Sequence, residues 1–240
     1  KKVENLIRNS KKPLILLGGG SKSKKSKEIL KEIILFYKIP IVSTLNGLDS
    51  TEETLGFAGI YGNYLPNNLL RRCDLLIALG TRFGNHHVSN RINEYTNANI
   101  IHIEIDESER QRVFIDSLGL NLDVSTFLEE FYEILNNNFG KNFFWKKWID
   151  EINFLKKERD KFESSRESPQ TNFLTKLFQN LPENICITAD VGQNQMWVAQ
   201  SYISKPGRKL INSVGLGAMG SSLPSAIGAS FADREKMILC

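Results

Sequence analysis

"PLILLGGGSKSKKSKEILKEIILFYKIPIVSTL" spans residues 13–45 and decides the fold. Its first five residues form an unbroken apolar run that stops at Gly18, Gly19 and Gly20. A strand covered on both faces reads this way, and the glycines mark its exit turn. The segment that follows has apolar residues at three- and four-residue spacing with lysines on the outer face, which predicts a helix over 23–38. "IPIVSTL" (39–45) then returns to strand. Strand, turn, helix and strand in this order build a parallel sheet with helices packed on it.

The same rhythm runs on. "DLLIALG" (74–80) and "NIIHIEID" (99–106) read as strands, residues 66–72 as a short helix, and "DVSTFLEEFYEIL" (123–135) as a helix. Residues 142–170 break it: the first half has helical spacing, and the second half is charged and turn-prone. Alternation then restarts with "NICITAD" (184–190), a helix over "QNQMWVAQSY", the strand "KLINS", the helix "SLPSAIGASFA" and the strand "KMILC". The predicted class is α/β. A parallel-sheet, three-layer domain of nucleotide-binding type occupies 1–140, a connecting helix and linker 141–170, and the first part of a second α/β domain 171–240.

The 240 residues carry a formal charge of +4. That excess is spread over helix-like segments and not stacked with aromatics, so no nucleic-acid partner is expected. Cys73, Cys186 and Cys240 are an odd set without short spacing, which fits a reducing, cytoplasmic setting. No apolar run reaches the ~18 residues that span a bilayer, so no membrane partner is expected. The sequence opens without Met and stops on the strand-like "MILC", and the expectation is a piece of a longer chain.

Three glycine-rich strand exits are candidate ligand sites, because open parallel sheets bind ligands at the carboxyl ends of their strands. "LLGGGSKS" could bring backbone N–H groups to a phosphate, or simply turn the chain; its spacing is not that of a dinucleotide fingerprint. "ALGTRF" (78–83) offers Arg82 to an anion, and Glu104 can accept from ribose hydroxyls. "ADVGQNQMWVAQ" (189–200) ends a strand at Asp190 and opens a helix at Gly192, with Gln193 and Asn194 in its first turn. Uncharged amides beside free N–H groups suit a diphosphate that brings its own Mg²⁺, although an ordinary helix start reads the same. His86 and His87 lack a carboxylate or Cys at ligand spacing, and His102 reads as a satisfied buried histidine. In "VGLGAMGSSLPSAIGA" (214–229), Ser221 and Ser222 can cap a helix, Pro224 fits its first turn, and Ala226, Gly228 and Ala229 keep it thin for close packing.

"DVGQNQMWVAQ" followed by "GLGAMGSSLPSAIGASFA" resembles the thiamine diphosphate-dependent acetolactate synthase family, of the large (catalytic) subunit type. "KPLILLGGG", "IPIVSTLNGL", "DLLIALGTRF" and "IIHIEID" are similar to that family's central domain, in the same order. The resemblance implies a transferase of branched-chain amino acid biosynthesis: decarboxylation of a pyruvate-like 2-keto acid and ligation to a second carbonyl. A non-ligating 2-keto acid decarboxylase is the alternative, and a nucleotide-binding module without catalysis a third reading. By resemblance residues 171–240 begin the thiamine diphosphate-binding domain. The activating glutamate, the GDG…N motif that carries Mg²⁺ and a closing C-terminal segment are expected outside this sequence, which leaves no catalytic residue and no metal ligand within it and the piece alone inactive. Gly192, Gln193 and Asn194 are expected at the cofactor diphosphate, Asn194 standing where the family has His; Gly217 and Met219 are expected at the aminopyrimidine. A bulky, flexible, non-ionisable methionine holds the cofactor bent without competing for its proton.

The resemblance also implies FAD, in a role without net redox chemistry. The matching positions are Gly18, Gly19, Gly20, Thr44, Leu45, Gly80, Thr81, Arg82, Glu104, Ile105, Asp123 and Val124. The family's RFDDR reads "RFGNH" here (82–86), which weakens the flavin side and the assignment of two pyruvates as substrates, and leaves an ADP-like ligand or an empty site as alternatives. A homodimer or homotetramer is expected, with a regulatory subunit as a further partner.

Overall fold

The computed structural model describes residues 1–84, 88, 94–140, 143, 145–164 and 168–240. The first unit contains α1 (Lys2–Asn9), β1 (Pro13–Leu17), α2 (Lys24–Tyr37), β2 (Ile41–Ser43), α3 (Tyr64–Arg72), β3 (Leu75–Leu79), β4 (Asn99–Ile103), β5 (Leu118–Leu120) and α4 (Val124–Asn138). Its five strands are parallel, in the order β2-β1-β3-β4-β5. Ile15 sits between Ile41 and Ile77 in register, and every residue of β1 and β3 is buried, as their continuous apolar runs require. The strand order reverses between β1 and β3, so their carboxyl ends diverge into a crevice.

Helix α5 (Lys146–Ser164) extends well into the part of 142–170 that reads as turn-prone. Its charged face is a solvated helix surface. Its first turns bury Trp148, whose Nε1 donates to the Pro13 carbonyl at 3.0 Å, and Trp145 Nε1 donates to Ser10 O at 2.9 Å. These bonds dock α5 on the entrance to β1.

The second unit contains α6 (Pro169–Asn180), β6 (Ile185–Ala189), α7 (Gln193–Ser201), β7 (Lys209–Asn212), α8 (Ser222–Ala232) and β8 (Met237–Leu239). Its strands are parallel in the order β7-β6-β8. Arg208 organises this unit. It is 2 % exposed, and its guanidinium donates to the carbonyls of Phe178, Ile203, Leu181 and Pro182 at 3.2, 2.7, 3.0 and 3.1 Å. One side chain thereby closes the carbonyl end of α6 and the exit of α7, groups a helix leaves without intrahelical partners.

The two units share a core. Leu45, Leu48 and Phe57 of the first pack with Phe178, Ile185, Ile187 and Leu210 of the second. Buried Asp49 pairs with Lys22 at 2.7 Å and accepts from Leu210 N at 3.3 Å, crossing between the sheets. Asn63 Nδ2 donates to Gln200 O and Gln200 Nε2 to Tyr61 O, at 2.9 and 2.8 Å. Cys73 and Cys186 are free and buried, and Cys240 is free and exposed. Among the described residues no helix is long and apolar enough to cross a membrane.

Two local expectations for α8 are corrected. Ser221 makes no side-chain cap bond; Ser222 Oγ instead pairs with Thr188 Oγ1 at 2.9 Å and Cys240 Sγ at 3.2 Å, fastening α8 to β6. Close packing holds at buried Ala226, whereas a Cβ on Gly228 would meet nothing within 4 Å.

Candidate functional site

Two cavities lie at the strand exits, and Val214 lines both. The first, of about 260 Å³, sits at the β1/β3 crevice and is lined by Gly19, Gly20, Thr44, Asn46, Gly80, Thr81, Arg82, Gly84, Glu104 and Val214. Seven of the twelve positions expected at a nucleotide are thus brought together there.

The glycines serve this crevice differently from the sequence expectation. Gly18 N–H donates to Leu79 O at 2.8 Å and Gly20 N–H to Gly80 O at 3.1 Å, so two of the three amides are already used. A Cβ on Gly18 would lie 2.1 Å from Gly80 O, and Gly80 itself has φ +59. The glycines let the exits of β1 and β3 touch main chain to main chain, which shapes the crevice floor.

Glu104 is buried, and its Oε1 accepts from its own loop, from Ile105 N at 2.9 Å and Asp106 N at 3.3 Å. These bonds fix the carboxylate at the cavity wall, where it could accept hydrogen bonds from ligand hydroxyls. Beneath it His102 Nε2 meets the Thr81 carbonyl at 2.7 Å; burial holds its pKa below the usual value, opposed by that hydrogen bond. His102 is therefore a neutral, satisfied core histidine. Phe83 (φ +49) turns inward after Arg82 and packs edge-on against His102 and Phe114.

The other five expected positions lie off the cavity. Gly18 forms its floor from beneath, as above. Leu45 sends its side chain into the shared core, and Ile105 is exposed. Asp123 caps α4 by accepting from Ser125 N at 2.7 Å, and Val124 is buried in the first core. Asn46 and Gly84 line the cavity and were missed; "STLNGL" carries the signal for Asn46, a polar residue in an apolar exit. His86 and His87 lie outside the described residues.

The second cavity, of about 490 Å³, is lined by Val191, Gly192, Gln193, Gln195, Met196, Trp197, Ser213, Val214 and Gly217, with Tyr61 and Gln200 along one side. Gly192 is the N-cap of α7 with φ +127, so the chain turns without a Cβ and the first-turn amides of α7 are not capped by a side chain. Gln193 and Asn194 are both exposed, and Gln193 lines the cavity. Gly217 (φ +64) faces Val191 across it. Met219 is 88 % exposed and projects from the same loop away from any packing partner. The buried Gln195 side chain, whose Nε2 has no partner, and Trp197 were missed, since both read as ordinary helix residues.

This arrangement suits a diphosphate ligand with an apolar, planar body: a helix N-terminus with uncapped amides, a glycine approach on the facing loop, and Met196, Trp197 and Val214 between them. Among the described residues no group of three or more His, Cys, Asp or Glu could hold a metal ion.

Residues 1–131 match the thiamine pyrophosphate enzyme central domain, and residues 190–240 match the C-terminal thiamine pyrophosphate-binding domain. The chain is 34 % identical to the acetolactate synthase large subunit of Porphyra purpurea, over 98 % of this chain and 41 % of that protein. It is 35 % identical to that of Lactococcus lactis, over 96 % and 40 %, and 29 % identical to the isozyme 2 large subunit of Escherichia coli, over 99 % and 43 %. The chain thus spans about two fifths of the length of these relatives. With the central-domain match over 1–131 and the thiamine pyrophosphate-binding match over 190–240 in that order, the chain belongs to the thiamine pyrophosphate enzymes.

Proposed function

We propose that the protein containing this chain is an acetolactate synthase-type carboligase, joining a decarboxylated 2-keto acid to a second carbonyl compound. The observation that carries this reading is the convergence of the Gly192 helix start and Gly217 of the facing loop on one cavity. When bound, thiamine diphosphate supplies the nucleophilic carbon and the electron sink for decarboxylation. This chain's residues do the holding. The α7 amides and the exposed Gln193 and Asn194 side chains would hold the diphosphate, Gly217 would admit the ring to the main chain, and Met219, exposed in this chain, would support the ring. Apolar walls at Val191, Met196 and Val214 exclude water. Mg²⁺ completes the diphosphate site through ligands that this reading assigns to none of these residues.

FAD is the nucleotide this reading assigns to the first cavity, with an ADP-like ligand as the alternative. Thr44, Arg82 and Glu104 would hold its adenosine end in the first cavity. Assembly into a homo-oligomer is part of the same reading.

Product analysis with the full-length protein and a 2-keto acid tests the activity. A ligated 2-hydroxy-keto product is expected; aldehyde alone would assign the simple decarboxylase instead. Glu104→Ala tests the nucleotide site: titration of the full-length protein with ADP and FAD should show both affinities falling at least about tenfold, since a hydrogen bond to a charged acceptor contributes about 1.5–3 kcal/mol. Unchanged affinity for both would move the nucleotide elsewhere.

A further inference from the structure

The residues on either side of Met219 are each tied down by a side chain from a different strand exit. Ala218 N–H donates to Ser213 Oγ at 3.1 Å, just beyond β7. Gly220 N–H donates to Asp190 Oδ1 at 3.0 Å, just beyond β6, and the same oxygen accepts from Val191 N at 2.7 Å. Among the described residues, little packs against this loop. A Cβ on Gly220 would meet nothing within 4 Å, one on Gly217 would touch only Val191, and Leu216 and Met219 are exposed. Gly217 and Gly220 both have positive φ, so the main chain enters and leaves the Met219 segment through conformations that side-chain residues resist. With flexible glycines at both ends and little packing, the two side-chain hydrogen bonds determine where Met219 stands.

We propose that Ser213 and Asp190 are positioning residues that suspend the Met219 main chain at the mouth of the thiamine cavity, one from each neighbouring strand exit. Asp190 does the larger share. Its carboxylate joins the loop that starts α7, where the diphosphate is held, to the loop that carries Met219, so it sets the span between the two ends of the cofactor site. Its Oδ1 accepts two main-chain N–H groups, one from each loop, against one for the Ser213 hydroxyl. The proposal rests on the thiamine diphosphate reading and on the role of Met219 within it.

The test uses the full-length protein with thiamine diphosphate and Mg²⁺, and two readouts that need no turnover. Trp197 lines the cavity, so quenching of tryptophan fluorescence reports cofactor affinity. The near-ultraviolet circular dichroism of the bound cofactor reports its conformation. Met219→Ala should diminish the dichroic band while changing the dissociation constant less than about threefold. Asp190→Ala should diminish the band equally and raise the dissociation constant about tenfold, and Asp190→Asn should return both to within about twofold, because an amide oxygen still accepts both N–H groups. Ser213→Ala, which removes one half-buried hydroxyl, should diminish the band, and Ser213→Thr should restore it. Wild-type band and affinity in both Asp190→Ala and Ser213→Ala would overturn the proposal. So would Asp190→Asn as deficient as Asp190→Ala, which would make the carboxylate's charge the cause. If Met219→Ala keeps a full band, the role of Met219 itself fails, independently of how its neighbours behave.

Discussion

Replacing Gly18 with alanine should destabilise the protein by about 3 kcal/mol or more, at the upper end of what overpacking costs. The new Cβ would stand 2.1 Å from Gly80 O, 2.6 Å from Gly80 C and 2.7 Å from Thr81 Cα, all main-chain atoms of the neighbouring strand exit. A flexible side chain could swing away; these atoms cannot, because Gly18 N–H is bonded to Leu79 O and Gly20 N–H to Gly80 O. Relief requires β1 and β3 to part at the floor of the nucleotide crevice, so ADP affinity should fall together with the urea midpoint. Gly228→Ala is the matched comparison. It lies inside α8, where a Cβ would meet nothing within 4 Å among the described residues, so the gain in helix propensity should stabilise by about 0.5–1 kcal/mol. A Gly18→Ala midpoint within error of the parent would show that the two exits are not in contact in solution.

Arg208→Met is the second large effect expected. Methionine fills similar volume but donates no hydrogen bonds, which leaves the carbonyls of Phe178, Leu181, Pro182 and Ile203 without the guanidinium. Leaving a buried polar group unsatisfied costs about 1–3 kcal/mol, and several are exposed to that loss at once, so at least about 3 kcal/mol should go. Arg208→Lys should recover little, since one ammonium cannot reach four carbonyls spread over two chain segments. Among the described residues no ion pair involves Arg208, and burial pulls its pKa below the usual arginine value. Its stabilisation is therefore hydrogen bonding to main chain, and added salt should change the Arg208→Met difference little. A midpoint shift under about 1 kcal/mol would contradict this account.

The strands of the first sheet were legible because burial on both faces removes every reason for a polar residue, and β1 and β3 show none. The sequence did not announce β5, whose three residues Leu118, Gly119 and Leu120 form an edge too short to show a pattern. Helix α1 is equally quiet, since only Ile7 along its length is buried. The charged tail of α5 read as turn because surface charge looks the same on a helix and in a loop until the other face is known. At the cavities, glycines and Arg82 stood out by residue type, yet a glycine motif does not tell whether it yields to a ligand or to another main chain. For Gly18 it is the latter. Leu45 looked like the continuation of an apolar strand; the chain instead turns there, and its side chain serves the second core. Arg208 and Asp49 were hidden altogether, because "KPGRKL" and "NGLDS" read as ordinary polar turns and only tertiary structure shows what they meet.

Val214 has a thermodynamic consequence of its own. A single side chain forms part of the wall of both cavities, so a molecule that pushes it aside in one alters the volume of the other. The two occupancies are then linked, and the linkage is reciprocal: whatever factor the nucleotide imposes on thiamine diphosphate affinity, thiamine diphosphate returns to the nucleotide. A nucleotide with no part in electron transfer would still have a task here, as a ligand whose binding free energy is partly expressed in the shape of the neighbouring cavity.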